Sequence, residues 1–226
     1  MDNILVGKDI VRCFKTGEGE DFYAVKGVNI EIPRKKLVML KGRSGSGKTT
    51  LLNILSSLDE ATSGEVIFDG KNISGLKDKE KELIRRKEIG FVFQSVALIP
   101  IMNAYENVDF AMRLAECEGQ YDDRIKHMLS LVNMKERMLH MPAQMSGGEQ
   151  QRIAIARAVA HKPKIVFADE PTGALDTDTG LRVMNLFKGL IEKENITILM
   201  TTHDPNLMDM ADLVYEMEDG EIIDRY

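Results

Sequence analysis

Two short segments of this 226-residue chain combine residue types that handle phosphate and water. The first is Gly42-Arg43-Ser44-Gly45-Ser46-Gly47-Lys48-Thr49, followed by Thr50. It fits the pattern G-x-x-x-x-G-K-[ST]. Glycines let successive backbone N–H groups turn inward around a phosphate chain, and a helix starting there adds a partial positive charge. Lys48 is long enough to reach β- and γ-phosphates, and the Thr49 hydroxyl can ligate Mg²⁺. A glycine-rich strand–helix turn without ligand is the bland alternative, and the Lys-Thr pair at the helix start argues against it. The second segment is Ile165-Val166-Phe167-Ala168-Asp169-Glu170, an apolar run ending in two acids. In an open α/β sheet ligands bind beyond the carboxyl ends of the strands. Asp169 would then face the Mg²⁺ shell, and Glu170 would poise a water in line with the γ-phosphate as general base. Alone, the pair could be a solvated turn before Pro171.

The elements needed to present these residues are legible in the hydrophobic pattern. Leu37–Leu40 is a compact apolar run of the kind found in buried parallel strands, and a helix over about 47–58 follows the glycine loop. Val28, Ile30 and Ile32 alternate with Asn29 and Glu31, the period-2 mark of a half-buried strand, so residues 3–33 read as short strands around a polar turn at 16–21. Further strands are expected at 65–68, 89–93, 165–168, 196–201, 213–217 and 221–223, the last two joined through Asp219-Gly220 as a hairpin turn. Helices are expected at 78–88, 178–194 and 205–211. Between about 103 and 160 the pattern is helical: Tyr105, Val108, Met112 and Ala115 recur at spacings of three and four, as do Ile125, Met128, Leu129 and Val132. This block interrupts a strand–helix alternation that indicates an α/β core with a mainly parallel sheet.

Composition narrows the function classes. Thirty basic against 36 acidic residues leave a net charge of −6, against the basic excess of a general nucleic-acid binder. No apolar run approaches the roughly 18 residues of a membrane span, and the N-terminus lacks signal-peptide character. Cys13 and Cys117 are too far apart in sequence to suggest a metal pair and read as buried thiols in a reducing cytosol. The 14 methionines are expected in the core.

Met145-Ser146-Gly147-Gly148-Glu149-Gln150-Gln151-Arg152 resembles the signature segment of ATP-binding cassette (ABC) ATPases, placed ahead of Asp169 as in that family. Gln94, after Phe91-Val92-Phe93, resembles the Q-loop glutamine; Ala174-Leu175-Asp176 resembles the D-loop; His203 in Thr201-Thr202-His203-Asp204 resembles the switch histidine. Taken singly, Ser146 could be a helix N-cap, Gln94 a solvated strand end and His203 a structural histidine; their collective order carries the resemblance. The resemblance implies an α/β P-loop NTPase core with an N-terminal antiparallel β layer and an inserted helical signature subdomain. It would form a single domain over 1–226, with 1–95 and 161–226 as core and 96–160 as the helical part. It implies ATP and Mg²⁺ as ligands and a composite site in which two cassettes pack head to tail. Ser146, Gly147 and Gly148 would face the ATP held by the partner chain, and Asp176 would link the two sites. His203 would hold the γ-phosphate and attacking water near Glu170, and Gln94 would complete the Mg²⁺ shell. Phe14 would stack on the adenine, with Phe22 and Tyr23 as competitors that could instead be core. Two departures are Met145 for the more usual Leu and Glu149 where many relatives have Gln.

The long polar turn, Leu51-Leu52-Asn53-Ile54-Leu55, the 168–176 segment and Thr201–Pro205 resemble most the lipoprotein-release and macrolide-export branch. That branch implies a separate integral-membrane permease driven by mechanotransmission from the cytoplasmic face of the membrane, with an extracytoplasmic adaptor reached through the permease. Bacitracin-resistance and cell-division types share parts of these segments, the latter regulating cell-wall hydrolysis rather than transport. A coupling helix of the permease would meet Ala97, Leu98, Ile99, Pro100 and Ile101, unless these tuck under the helical subdomain. Chromosome-organising and ribosome-associated relatives are disfavoured by the lack of coiled coils, zinc cysteines or a second motif set, and a nucleic-acid partner is not expected. The presence of Glu170, Gln94 and His203 disfavours a binding module that does not hydrolyse ATP.

Overall fold

The computed structural model describes all residues except Met1, Thr16, Glu18 and Gln120, so two positions of the 16–21 turn lie outside the described residues. Two long strands, β1 (Asn3–Lys15) and β2 (Asp21–Pro33), form the N-terminal ribbon. There follow β3 (Leu37–Lys41), α1 (Lys48–Leu55), β4 (Ser63–Phe68), β5 (Lys71–Asn72), α2 (Asp78–Glu88) and β6 (Ile89–Val92). The helical stretch holds α3 (Ala104–Leu114), α4 (Asp122–Leu131) and α5 (Gly147–Val159). The chain closes with β7 (Ile165–Ala168), α6 (Thr177–Glu194), β8 (Thr197–Thr202), β9 (Leu213–Glu218) and β10 (Glu221–Arg225).

A six-stranded sheet runs in the order β10-β9-β3-β8-β7-β6. Every pairing from β9 to β6 is parallel, and β10 returns antiparallel to β9. A four-stranded antiparallel sheet, β2-β1-β4-β5, lies beside it. Parallel pairing has one decisive consequence: the segments leaving β3, β6, β7 and β8 all emerge at the same edge. The glycine loop, Gln94, Asp169-Glu170 and His203 follow those four strands in turn.

The central strands read as unbroken apolar runs because both faces are covered. Leu37 and Met39 of β3, with Val166, Ala168, Ile198 and Met200, face a core shared with α3–α6. Val38 and Leu40, with Ile165, Phe167 and Leu199, face a second core shared with α1 and the antiparallel layer. Eight of the methionines, among them Met39, Met128, Met184 and Met200, are buried in these cores. Both cysteines are free thiols and half-buried, not buried as expected.

Two expected helices end differently. Helix α1 stops at Leu55, where Ser57 takes the left-handed φ of 60°. Residues 205–210 form a 3-10 helix, because the Asp204 side chain accepts the Asn206 N–H and Pro205 brings no donor of its own. The expected hairpin turn is present, with positive φ at both Asp219 and Gly220. It also acts as a clamp: the Lys26 N–H donates to the Gly220 carbonyl, and the Gly220 N–H to the Ser46 carbonyl in the glycine loop.

Candidate active site

The glycine loop is squeezed between two strands. A Cβ on Gly47 would overlap the Ala24 carbonyl oxygen of β2, and one on Gly42 would overlap the Met217 carbonyl oxygen of β9. Gly47 also has φ 98°, a left-handed conformation that glycine adopts without penalty. No side chain caps the N-terminus of α1, so its first-turn N–H groups have no side-chain acceptor. Lys48 is buried, and its ammonium donates to the carbonyls of Gly42 (2.9 Å) and Arg43 (2.8 Å), folding back over the loop. Burial pulls its pKa below the ordinary lysine value, opposed by the charges of Glu170 and Asp169. The buried Ser46 hydroxyl has no hydrogen-bond partner. Arg43, Ser44 and Gly45 are exposed, as is Thr49, whereas Thr50 is half-buried.

The acids of β7 complete a cluster. The Thr49 hydroxyl lies 3.1 Å from both carboxylate oxygens of Asp169. The Asp169 N–H donates to the Val92 carbonyl, which anchors the end of β7 to β6. Glu170 has φ 43°, and its carboxylate sits between Gln94 Nε2 (3.5 Å) and His203 Nδ1 (3.3 Å). Lys48, Thr49, Asp169, Glu170, Gln94 and His203 are therefore brought together. Among the described residues no group of three or more His, Cys, Asp or Glu could hold a metal ion. That suits Mg²⁺, which takes one or two protein oxygens and fills its octahedron with phosphate and water. A hydroxyl and a carboxylate side by side are the hard-oxygen donors it prefers.

Sequence reasoning named two residues here within larger motifs but gave them no role. Thr201 bonds both acids: its hydroxyl donates to Asp169 Oδ1 (2.6 Å) and accepts the Glu170 N–H (2.9 Å). Gln151 of α5 is buried and donates to the Pro171 carbonyl (2.8 Å), which ties the signature helix to the turn after the acids. The signal for Thr201 was a polar residue at the end of an apolar buried strand, since such groups must find partners; Gln151, between Gln150 and Arg152, carried no such signal.

The signature segment lies elsewhere. Ser146 caps α5, accepting the Glu149 N–H at 3.3 Å, while the Glu149 carboxylate accepts the Ser146 N–H at 2.8 Å. This is a capping box. The Ser146 N–H holds the Glu149 carboxyl below its ordinary pKa. Glu149 thus performs locally what a glutamine would, which accounts for that departure. Gly147 has open space where a Cβ would stand, whereas one on Gly148 would meet Thr179 of α6 at 2.7 Å. Among the described residues no hydrogen bond joins Ser146, Gly147 or Gly148 to the glycine loop. Asp176 caps α6 through the Thr179 N–H (3.0 Å) and lines a 290 Å³ cavity with Glu170, Gly173 and His203.

Phe14 is half-exposed near the end of β1, paired across the ribbon with Phe22. The Arg12 guanidinium lies 4.5 Å above the Phe14 ring and is itself paired with Asp59. Phe22 and Tyr23 are exposed, which removes the core alternative for both. Of the 97–101 segment, Leu98 packs against the core and Ile101 is 83% exposed. Asn107 fixes the main chain of Ile99 at both its N–H and its carbonyl. A 340 Å³ apolar groove beside it is lined by Phe91, Phe93, Ala97, Ile99, Phe110 and Leu114.

A family model described as ABC transporter matches residues 25–173. The chain is 44% identical to the uncharacterized ABC transporter ATP-binding protein MJ0796 of Methanocaldococcus jannaschii, over 95% of this chain and 93% of that protein. It is 40% identical to the macrolide export ATP-binding/permease protein MacB of Syntrophobacter fumaroxidans, covering 95% of this chain but 30% of that longer protein. The solved dimer of the MJ0796 cassette in a post-hydrolysis state with ADP and Pi superposes with a TM-score of 0.90 at 39% identity, over 98% of this chain and 97% of that one. With the phosphate loop and acids at one sheet edge and relatives of this identity along nearly its whole length, the chain belongs to the ABC transporter family, as one of its ATP-binding cassettes.

Proposed function

We propose that this cassette hydrolyses ATP as the motor subunit of a membrane transporter, closing head to tail with a second copy around two ATP molecules and driving a separate permease. The observation that carries it is the Glu170 carboxylate, held between Gln94 and His203 beside the Thr49–Asp169 pair. Glu170 would accept a proton from the attacking water, with His203 aligning that water and the γ-phosphate. The main-chain N–H groups of 42–50 and Lys48 would bind the phosphate chain. Mg²⁺, when bound by Thr49 and Asp169 with Gln94 alongside, would neutralise charge on the β- and γ-phosphates. Phe14 would carry the adenine.

The placement of Ser146, Gly147 and Gly148 at a helix N-terminus, with no bond to their own phosphate loop among the described residues, supports head-to-tail closure. Such a terminus attracts phosphate, and in our reading it serves the phosphate loop of another copy. The MJ0796 cassette is dimeric in its solved structures, which supports pairing of two copies. Loss of γ-phosphate would break the bridge, an order-and-separation switch. We assign 96–160 as the helical subdomain that moves with the signature, and 1–95 with 161–226 as the nucleotide-binding core.

Among the described residues no helix is long and apolar enough to cross a membrane. Our reading puts the permease against the apolar groove of Phe93, Phe110 and Leu114, which would hold the cassette at the cytoplasmic face of the membrane. Similarity to a macrolide export ATP-binding/permease protein favours export; mechanotransmission, with an extracytoplasmic adaptor engaged through the permease, is the mode we propose for it. The decisive experiment is Glu170→Gln, which should retain ATP binding, lose turnover and accumulate an ATP-dependent dimer by light scattering. Native turnover in that variant would remove Glu170 from the role.

A further inference from the structure

Buried strands of a parallel sheet are ordinarily apolar on both faces, yet β8 ends in Thr201 and Thr202. Thr201 is fully buried. A hydroxyl offers one donor and two acceptor positions, and here both kinds are used on consecutive residues of the adjacent strand's end. The donor goes to Asp169 Oδ1 at 2.6 Å; the acceptor takes the Glu170 N–H at 2.9 Å. Register explains the meeting. Ala168 pairs with Met200, so the next residue of β8 stands opposite the point where β7 turns into the site.

Each bond constrains something the chemistry needs. Asp169 receives Thr49 from the exposed side, 3.1 Å from each oxygen, and Thr201 from the buried side, so its carboxylate is held from two directions. Glu170 has φ 43°, a left-handed conformation that a residue with a side chain keeps only when its surroundings over-determine it. Its N–H is taken by Thr201 and its carbonyl by the Gly173 N–H at 3.0 Å. That backbone conformation aims the Glu170 carboxylate between Gln94 and His203.

We propose that Thr201 is a positioning residue whose single hydroxyl sets the metal-facing Asp169 and the water-facing Glu170 together. The proposal rests on the roles given above to those two acids. It makes metal engagement and hydrolysis depend on one fully buried group behind both acids. The grip on the phosphate chain, which uses Lys48 and main-chain N–H groups, is left independent of it.

The test uses the whole chain with Thr201→Val, which keeps the branched shape and deletes the hydroxyl, and Thr201→Ser, which keeps the hydroxyl. Four quantities are read: kcat, the Mg²⁺ concentration for half-maximal turnover, equilibrium binding of a fluorescent ATP analogue in EDTA and in Mg²⁺, and the thermal midpoint by circular dichroism. For Thr201→Val, kcat should fall about 10–100-fold, the range for residues that support a metal site from behind its ligands. Its Mg²⁺ requirement should rise and the gain in nucleotide affinity from Mg²⁺ should shrink, with binding in EDTA unchanged. Thr201→Ser should recover both the rate and the Mg²⁺ response. Native kcat with a native Mg²⁺ response in Thr201→Val overturns the proposal. So does a lowered thermal midpoint with the Mg²⁺ response unmoved, which would make Thr201 purely structural. If Thr201→Val does not fold, Thr201→Ala against Thr201→Ser decides: an Mg²⁺ response lost only in Ala supports the proposal, and equal responses overturn it. Glu170→Gln run in parallel separates the two levels. Turnover at the native rate there defeats the reading of the site itself, whereas an inactive Glu170→Gln beside a native Thr201→Val defeats only the role of Thr201.

Discussion

A carboxylate acts as a base on water only if no stronger cation claims it, and the acids of this chain divide on that criterion. Asp69 is claimed by Lys164 and Arg34, whose hydrogen bonds hold its carboxyl below the usual carboxylate range. Among the described residues Glu170 has no Lys or Arg ion pair; its partners are an amide at 3.5 Å and an imidazole at 3.3 Å, weak contacts by length. Replacing Glu170 by Gln keeps shape and removes the proton acceptor, so turnover should drop by about 10²–10⁴-fold, the usual share of a positioned general base. Equilibrium binding of ATP should stay close to native in the same variant, because the phosphate-holding groups are untouched. The individual residues of this cluster were legible because each follows a strand whose apolar run marks its end. Thr201 stood inside the segment around His203, yet its part was not legible there, because only the register of β7 against β8 gives its hydroxyl two partners.

At the scale of elements, the phosphate loop depends on neighbours remote in sequence. Ala24 of β2, Met217 of β9 and the Gly220 turn all press on it. Gly47→Ala would set a methyl group against the Ala24 carbonyl and hold alanine at φ 98°, a backbone cost on the order of 1–3 kcal/mol before the clash is relieved. Nucleotide affinity should collapse in that variant while far-UV circular dichroism keeps its native shape, the two signals read on one sample. The Asp69 cluster ties the turn after β4 to the approaches to β3 and β7. Its folded pKa is depressed, so the stability it adds is present above the unfolded carboxylate value of about 3.9 and is lost as pH falls through the folded value. Asp69 is about a third exposed, so the contribution is modest. Urea midpoints measured from pH 6 down to about pH 2 should therefore fall less steeply at the acid end for Asp69→Asn than for the native chain. Apart from 3–33, expected as short strands but forming two strands of 13 residues each, and the two-residue β5, which carried no signal, strand and helix types followed from periodicity and apolar runs. The 205–210 segment did not, because a capped turn with Pro205 and a full helix look alike over six residues.

At the scale of the whole molecule, one cassette presents two unmatched faces. One is the signature edge, where Ser146 is engaged only by its own helix. The other is the groove of Phe93, Phe110 and Leu114, three large apolar side chains that are 38%, 42% and 53% exposed. Exposed apolar surface gathered in a groove marks an interaction site more than scattered apolar residues do. Leu114→Asp, at the last position of α3, should abolish co-purification of the permease while basal ATP binding by the isolated cassette is unchanged. The sequence pointed to 97–101, of which Ala97 and Ile99 line this same groove while Leu98 packs against the core. An apolar side chain reads the same whether it packs inward or outward, and which way Leu98 turns depends on the loop that Asn107 and Arg157 pin from two helices.

The sequence by itself determined the chemistry and the order of its parts: a glycine loop with Lys48 and Thr49, two acids after an apolar strand, and a glutamine and histidine after two more. Those features are local, because backbone freedom at glycine, charge at an acid and the period of a strand are properties of a few adjacent residues. Tertiary structure alone decided which residues hold the acids in place, which apolar side chains remain uncovered and why glycine is required at 42 and 47. Each of these depends on atoms brought close by sheet register from segments far apart in the chain, such as β8 with β7 or Ala24 with Gly47.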